Sequence, residues 1–136
     1  MASKTGKMFE NKIRSWHKEG DCLTFKFPDY ASTGSFNKAI CDRVTITPAG
    51  AYWFECKHTE SKTSFSLGLI KDHQWRYMMR IEELTGKAFF LIENGLHQVF
   101  MVKPSALSFL GMKSVKFHQL KRFLVEKSDF KRNIYI

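Results

Sequence analysis

The chain has 136 residues, 43% of them hydrophobic and 15% aromatic, so it can bury a core of its own and is neither disordered nor fibrous. Twenty-two Lys and Arg stand against 13 Asp and Glu, and the net charge of +9 favours a polyanionic partner. The longest purely apolar run, residues 88–92, is five residues and no signal-like segment opens the chain, so a membrane partner and secretion are not expected. Cys22, Cys41 and Cys56 make an odd count without CxxC, which argues against a disulfide framework or zinc ribbon and fits the cytoplasm. One domain spanning residues 1–136 is expected. Residues 1–20 sum to +3, residues 21–102 to zero and residues 103–136 to +6. Basic ends around a neutral centre suggest phosphate binding at the ends and something more specific between; the alternative is solvated lysines that only aid solubility.

In chain order, Thr5 is placed to cap a helix reaching about Glu19 and ending at Gly20, with Phe9, Ile13 and Trp16 on one stripe. Residues 22–27 alternate as a strand, and Pro28 ends it. Residues 28–38 carry loop chemistry. A β-branched strand over 39–47, a turn at 48–50 and a second strand over 51–58 follow, then a polar loop over 59–66. Residues 67–85 have helical period and stop at Gly86. Strands 87–93 and 96–102 flank Asn94-Gly95, a hairpin signal. A short helical piece at 105–110, a brief strand near Val115 and a basic helix over 118–126 close the chain. The order α-β-β-β-α-β-β-α predicts an α/β or α+β sheet flanked by helices.

Chemistry concentrates in the two strands around the turn. Glu55 and Lys57 share one face, about 6.5–7 Å apart, while Tyr52, Phe54 and Cys56 take the core face. Asp42 opens the neighbouring strand, and antiparallel register brings its carboxylate to Glu55. Two converging carboxylates suit Mg2+, and an adjacent lysine orders water or stabilises charge on phosphate. A cross-strand Glu–Lys pair on an exposed face fits the spacing equally well. Gln74 falls at the centre of the apolar face made by Ile70, Tyr77, Met78, Ile81 and Leu84, either as a paired core amide or as a site residue facing the sheet. No P-loop or GxGxxG motif is present, and Cys22, Cys41, Cys56 and His58 fit no zinc spacing.

Glu10 in Gly6-Lys7-Met8-Phe9-Glu10, Asp42, Glu55-Cys56-Lys57, Lys62-Thr63-Ser64-Phe65 and His73-Gln74 occur in this order. Together they resemble the RecU family of Holliday junction resolvases, in the PD-(D/E)xK nuclease superfamily. The likeness covers residues 6–102 and continues faintly beyond. It implies a restriction-endonuclease-like core with a mixed central sheet flanked by helices. It implies a homodimeric, Mg2+-dependent endonuclease, Mn2+ substituting, that resolves four-way junctions by paired symmetric nicks, with recombination proteins as further partners. Glu10, Asp42, Glu55, Lys57 and Gln74 are the implied catalytic set; Asp42, Glu55 and the Cys56 carbonyl are the implied metal ligands. Lys57 is expected to orient water, and Gln74 to hold that water or Lys57.

Lys4, Lys7, Lys62, Ser64, Lys113, Lys116, Lys121 and Arg122 are candidate phosphate contacts. Tyr30, Phe36 and Lys38 are candidates for the junction centre. The family's stalk is reduced here to residues 28–38 and its basic arm to residues 1–6, which suits a compact bacteriophage-type member. Other readings are a related nuclease of branched, nicked or duplex DNA, and a catalytically idle DNA-binding module.

Overall fold

The computed structural model describes residues 4–20, 22–27, 41–110 and 113–131. Its centre is a six-stranded mixed sheet in the order β1 (Leu23–Lys26), β2 (Arg43–Thr47), β3 (Gly50–His58), β5 (Ala88–Glu93), β6 (Val99–Val102) and β8 (Leu124–Val125). β3 and β5 run parallel and the other neighbours antiparallel. Helix α2 (Asp72–Thr85) lies between β3 and β5 in the chain, as a parallel pair requires a crossover. A separate ribbon pairs β4 (Ser64–Ser66) with β7 (Ser114–Lys116).

Strand alternation divides the core in two. Tyr52, Phe54, Cys56, Phe89 and Leu91 point to one face, where Phe9 and Ile13 of α1 (Lys4–Lys18) and Phe130 of α4 (Lys127–Lys131) cover them. Phe90, Ile92, Phe100 and Val102 point to the other, under Met78 of α2 and Leu107 of α3 (Pro104–Leu110). The expected α/β sheet flanked by helices is therefore present, with each helix stripe buried against one set of alternating strand residues.

Several local expectations change. α1 begins at Lys4, so Thr5 lies inside its first turn instead of capping it. Residues 67–85 are not one helix: a 3₁₀ turn at Leu67–Leu69 precedes α2, and Ile70 and Lys71 are extended between them. The polar loop over 59–66 contains β4, and the basic helix over 118–126 is instead a 3₁₀ segment, Phe117–Phe123, leading into β8. Asn94-Gly95 does not form a two-residue turn, because β6 begins at Val99. Gly95 docks on the 60s segment through its N–H to Ser61 at 2.9 Å, and a Cβ there would collide with the Glu60 carbonyl. Among the described strands β1 is at the edge, and its alternating Leu23 and Phe25 are exposed.

Candidate active site

The β2–β3 hairpin sets the two acids against each other. Asp42 sits just before β2, where its N–H donates to the Phe54 carbonyl at 3.1 Å and its carboxylate accepts the Cys56 N–H at 2.8 Å. Arg43 pairs with Phe54, so Asp42 falls opposite Glu55. The two carboxyls face each other across the hairpin, and the Asp42 charge acts on Glu55. Glu55 is 3% exposed, its Oε1 accepting the Gln74 amide at 2.9 Å and lying 3.9 Å from Lys57 Nζ.

Gln74 works at both ends. Its Oε1 accepts the Lys71 N–H at 2.9 Å, closing the start of α2, and this turns the amide nitrogen toward Glu55. The expected partner is water or Lys57; the amide nitrogen meets the Glu55 carboxylate, whose Oε1 lies 3.9 Å from Lys57 Nζ. Gln74 is half-buried and its amide is paired; of the apolar face expected around it Met78 is buried, whereas Tyr77 and Leu84 are exposed.

Burial, then the Asp42 charge, hold the Glu55 carboxyl well above its ordinary range, with Lys57 opposing. Burial raises Asp42 too, against the Cys56 N–H and Lys57. Glu10, reaching the same field from α1, is raised by burial first and Asp42 second, while Lys26, Arg43 and Lys57 pull it down. Asp42 and Glu55 therefore face each other with Lys57 as the near cation, and Glu10 lies within the field of Asp42. Such a hard-oxygen pair suits a divalent cation better than it suits two carboxylates alone. Among the described residues no three His, Cys, Asp or Glu side chains are grouped to hold a metal. Two carboxylates, one main-chain carbonyl and water make a sparse set, and Mg2+ keeps several waters in sites of this kind. The Cys56 carbonyl leaves the same strand edge as the N–H that clasps Asp42, so it is available to that set.

The candidate phosphate contacts fall in several places. Lys62, Thr63, Ser64, Lys116, Phe117 and His118 line one cleft of about 560 Å³, so the ribbon joins two basic segments that are far apart in the chain. Lys7, Lys113, Lys121 and Arg122 are exposed, and Lys4 opens α1. Tyr30, Phe36 and Lys38 lie outside the described residues.

Sequence reasoning missed the cations nearest the acids besides Lys57, namely Lys26 and the buried Arg43. It also missed a second charged cluster on the α1 face. There Glu93 receives Lys12 Nζ at 2.8 Å and meets His58 Nδ1 at 2.7 Å. A glutamate ending a strand buried along its whole length was the available signal.

A mixed sheet with acids converging from a hairpin, and a lysine two residues past the second acid, is the core of a restriction-endonuclease-like nuclease. The Recombination protein U (RecU) family matches residues 32–135, and the chain belongs to that family of Holliday junction resolvases. It is by that membership an endonuclease acting on branched DNA, and resolvases of this kind depend on a divalent metal. A solved structure of Archaeoglobus fulgidus Hjc, a Holliday junction resolvase from an archaeal hyperthermophile, is similar with a TM-score of 0.63. That likeness has 10% sequence identity and covers 95% of this chain and 98% of the other, so it speaks to the fold alone. Among curated protein sequences nothing matches. No helix among the described residues is long and apolar enough to cross a membrane.

Proposed function

We propose that this chain resolves four-way DNA junctions as a homodimer, by Mg2+-dependent hydrolysis of symmetry-related phosphodiesters, with Mn2+ able to substitute. The observation that carries the reading is the convergence of two acids across the hairpin, half-buried Asp42 opposite buried Glu55, beside a single close lysine. Asp42, Glu55 and the Cys56 carbonyl would hold the cation, with Glu10 completing the set directly or through water. When bound, the ion would neutralise a phosphate oxygen and make water a better nucleophile.

The remaining steps belong to the chain's own groups. The Cys56 N–H fixes the Asp42 carboxylate, and Gln74 fixes that of Glu55, so neither ligand has to be ordered when substrate arrives. Lys57, within reach of the same point, donates hydrogen bonds to the attacking water and to the phosphorane oxygens as negative charge develops. The new P–O bond forms from water as the bond to the leaving oxygen breaks. The Lys62–Lys116 cleft would hold backbone phosphate away from the cut, and Lys4, Lys7, Lys113, Lys121 and Arg122 would add contacts that do not read bases. Residues 28–38, with Tyr30, Phe36 and Lys38, are the proposed contact with the open junction centre. Paired nicks follow from a two-fold dimer on a two-fold substrate.

Synthetic four-way junction and matched linear duplex, each with and without Mg2+, test the reading. Metal-dependent cleavage of the junction and not the duplex supports it. Equal cleavage of duplex indicates a general nuclease, and binding without cleavage an idle module. Asp42→Asn should keep junction affinity and lose turnover by about 10³-fold, and Lys57→Ala by about 10²–10³-fold. Full activity in excess EDTA, or a monomer in sedimentation with junction bound, overturns the metal and the dimer respectively.

A further inference from the structure

Outside the acids of the cutting site lies a second charged cluster, built from elements distant in the chain. Glu93 ends β5 and is 4% exposed. One of its oxygens accepts from Lys12 Nζ at 2.8 Å; the other meets His58 Nδ1 at 2.7 Å, and His58 Nε2 meets Glu60 at 2.9 Å. Lys12 also donates to the His97 carbonyl at 3.2 Å. His58 and Glu93 are register neighbours on the parallel strands, and His58 directly follows Lys57.

The positions on α1 give this cluster a consequence. Phe9, Ile13 and His17 form the buried stripe. Glu10 and Lys12 flank it on opposite sides, about 160° apart at 3.6 residues per turn. Apolar packing of the stripe resists lifting of the helix but is non-directional about its axis. The Lys12–Glu93 bond is directional and sets the roll of the helix, hence the place of Glu10 on the other flank. A roll of about 10° moves a group about 6 Å from the axis by about 1 Å. A misplacement of about 1 Å costs a reaction about 10²-fold.

We infer that Lys12 and Glu93 are positioning residues for cleavage: their half-buried ion pair fixes the roll of α1 and thereby holds Glu10 at the acid pair of the cutting site. The inference rests on the proposed role of Glu10 in that site. Residues 32–135 carry the family match, so α1 with Lys12 lies outside it and Glu93 inside.

The test compares Lys12→Met, Lys12→Arg, Glu93→Gln, the double variant Lys12→Met/Glu93→Gln, and Glu10→Gln, each at a temperature where circular dichroism shows it folded. Single-turnover cleavage of a four-way junction, junction affinity in Ca2+, and Mn2+ binding followed by electron paramagnetic resonance are measured. Lys12→Met and Glu93→Gln should each slow cleavage about 10–100-fold and weaken Mn2+ binding about 10-fold, with junction affinity within about twofold. Lys12→Arg should recover most of the rate, and the double variant should be no slower than the worse single one. Additive losses, a rate within twofold of the parent in Lys12→Met, or a loss of junction affinity in place of rate overturns the inference. Full activity in Glu10→Gln instead rejects the reading of Glu10 on which it rests.

Discussion

Glu55 and Glu93 stand on adjacent parallel strands with almost equal burial, 3% and 4% exposed, yet they are opposite kinds of residue. Glu93 faces α1 and is matched by Lys12 and His58, both within 2.8 Å. Glu55 faces α2, accepts from an amide and lies opposite another carboxyl, while Lys57 stays 3.9 Å away. Burial of an acid therefore does not mark a reactive site; the shortage of compensating charge does. The α1 face keeps its glutamate as part of the frame. The α2 face leaves its own under-compensated, which costs stability until a cation arrives.

The sharpest test of this contrast is the same substitution at both positions. Glu93→Gln removes the charge that both Lys12 and His58 address, and should lower stability by about 2–3 kcal/mol in urea melts at pH 7. A neutral result there would mean that the cluster is solvated and frames nothing.

The acid limb probes the α1 face in another way. His17 is fully buried, its ring centroid 5.1 Å from that of Phe54 and 4.9 Å from that of Phe130. Burial first, and Arg43 second, push its pKa down from 6.5 to about 3. The unfolded chain takes up this proton as pH falls through 6.5, whereas the folded chain resists it until about 3. Stability from this group is thus complete above pH 6.5 and is lost below it. The loss reaches about 2 kcal/mol by pH 5. His17→Leu should flatten that limb, as read from urea midpoints at pH 5 and 7.5.

How much of this was legible in the sequence follows from range. Asp42, Glu55 and Lys57 could be read because a tight turn fixes the register of two strands, and alternation then assigns their faces. Gln74 was legible as an anomaly on a helix face, but its partner was not, because which group its amide meets depends on how α2 sits on β3. Lys12 and Glu93 are 81 residues apart, and no local pattern pairs them. β4 and β8 were missed for a similar reason, whereas β7 is the brief strand expected near Val115. Strands as short as β4 and β8 exist through their partners, and their own propensity is too weak to announce them. Leu23 and Phe25 show the converse: the alternation was read correctly as a strand, but its burial depends on what covers an edge.

Cation binding should separate the two glutamates again. At about ten times its Kd, Mg2+ should stabilise the protein by about 1.4 kcal/mol through linkage. The same increment should survive in Glu93→Gln if that variant retains the metal acids at higher Mg2+, and should vanish in Glu55→Gln at any concentration. Differential scanning fluorimetry across a Mg2+ series reads both. An equal shift in Glu55→Gln would remove Glu55 from the metal set.

Glu55→Gln itself carries the smallest effect and the least intuitive sign. A carboxyl whose folded pKa is raised binds its proton more tightly in the folded state than in the unfolded one. Its favourable contribution is present below the unfolded value of 4.5 and is lost as pH rises through the higher folded value. At neutral pH without metal the buried charge is therefore a net cost, which a neutral amide of the same shape avoids. The Gln74 contact persists, because an amide oxygen still accepts from Gln74 Nε2. Glu55→Gln should raise stability by about 1 kcal/mol, or roughly 3–5 °C in Tm, at pH 7.5 in EDTA. The gain should shrink toward zero by about pH 4, where the wild-type carboxyl already carries its proton in both states. A loss of stability at pH 7.5 would show that Glu55, like Glu93, is a compensated structural acid, and the contrast between the two strands would fail.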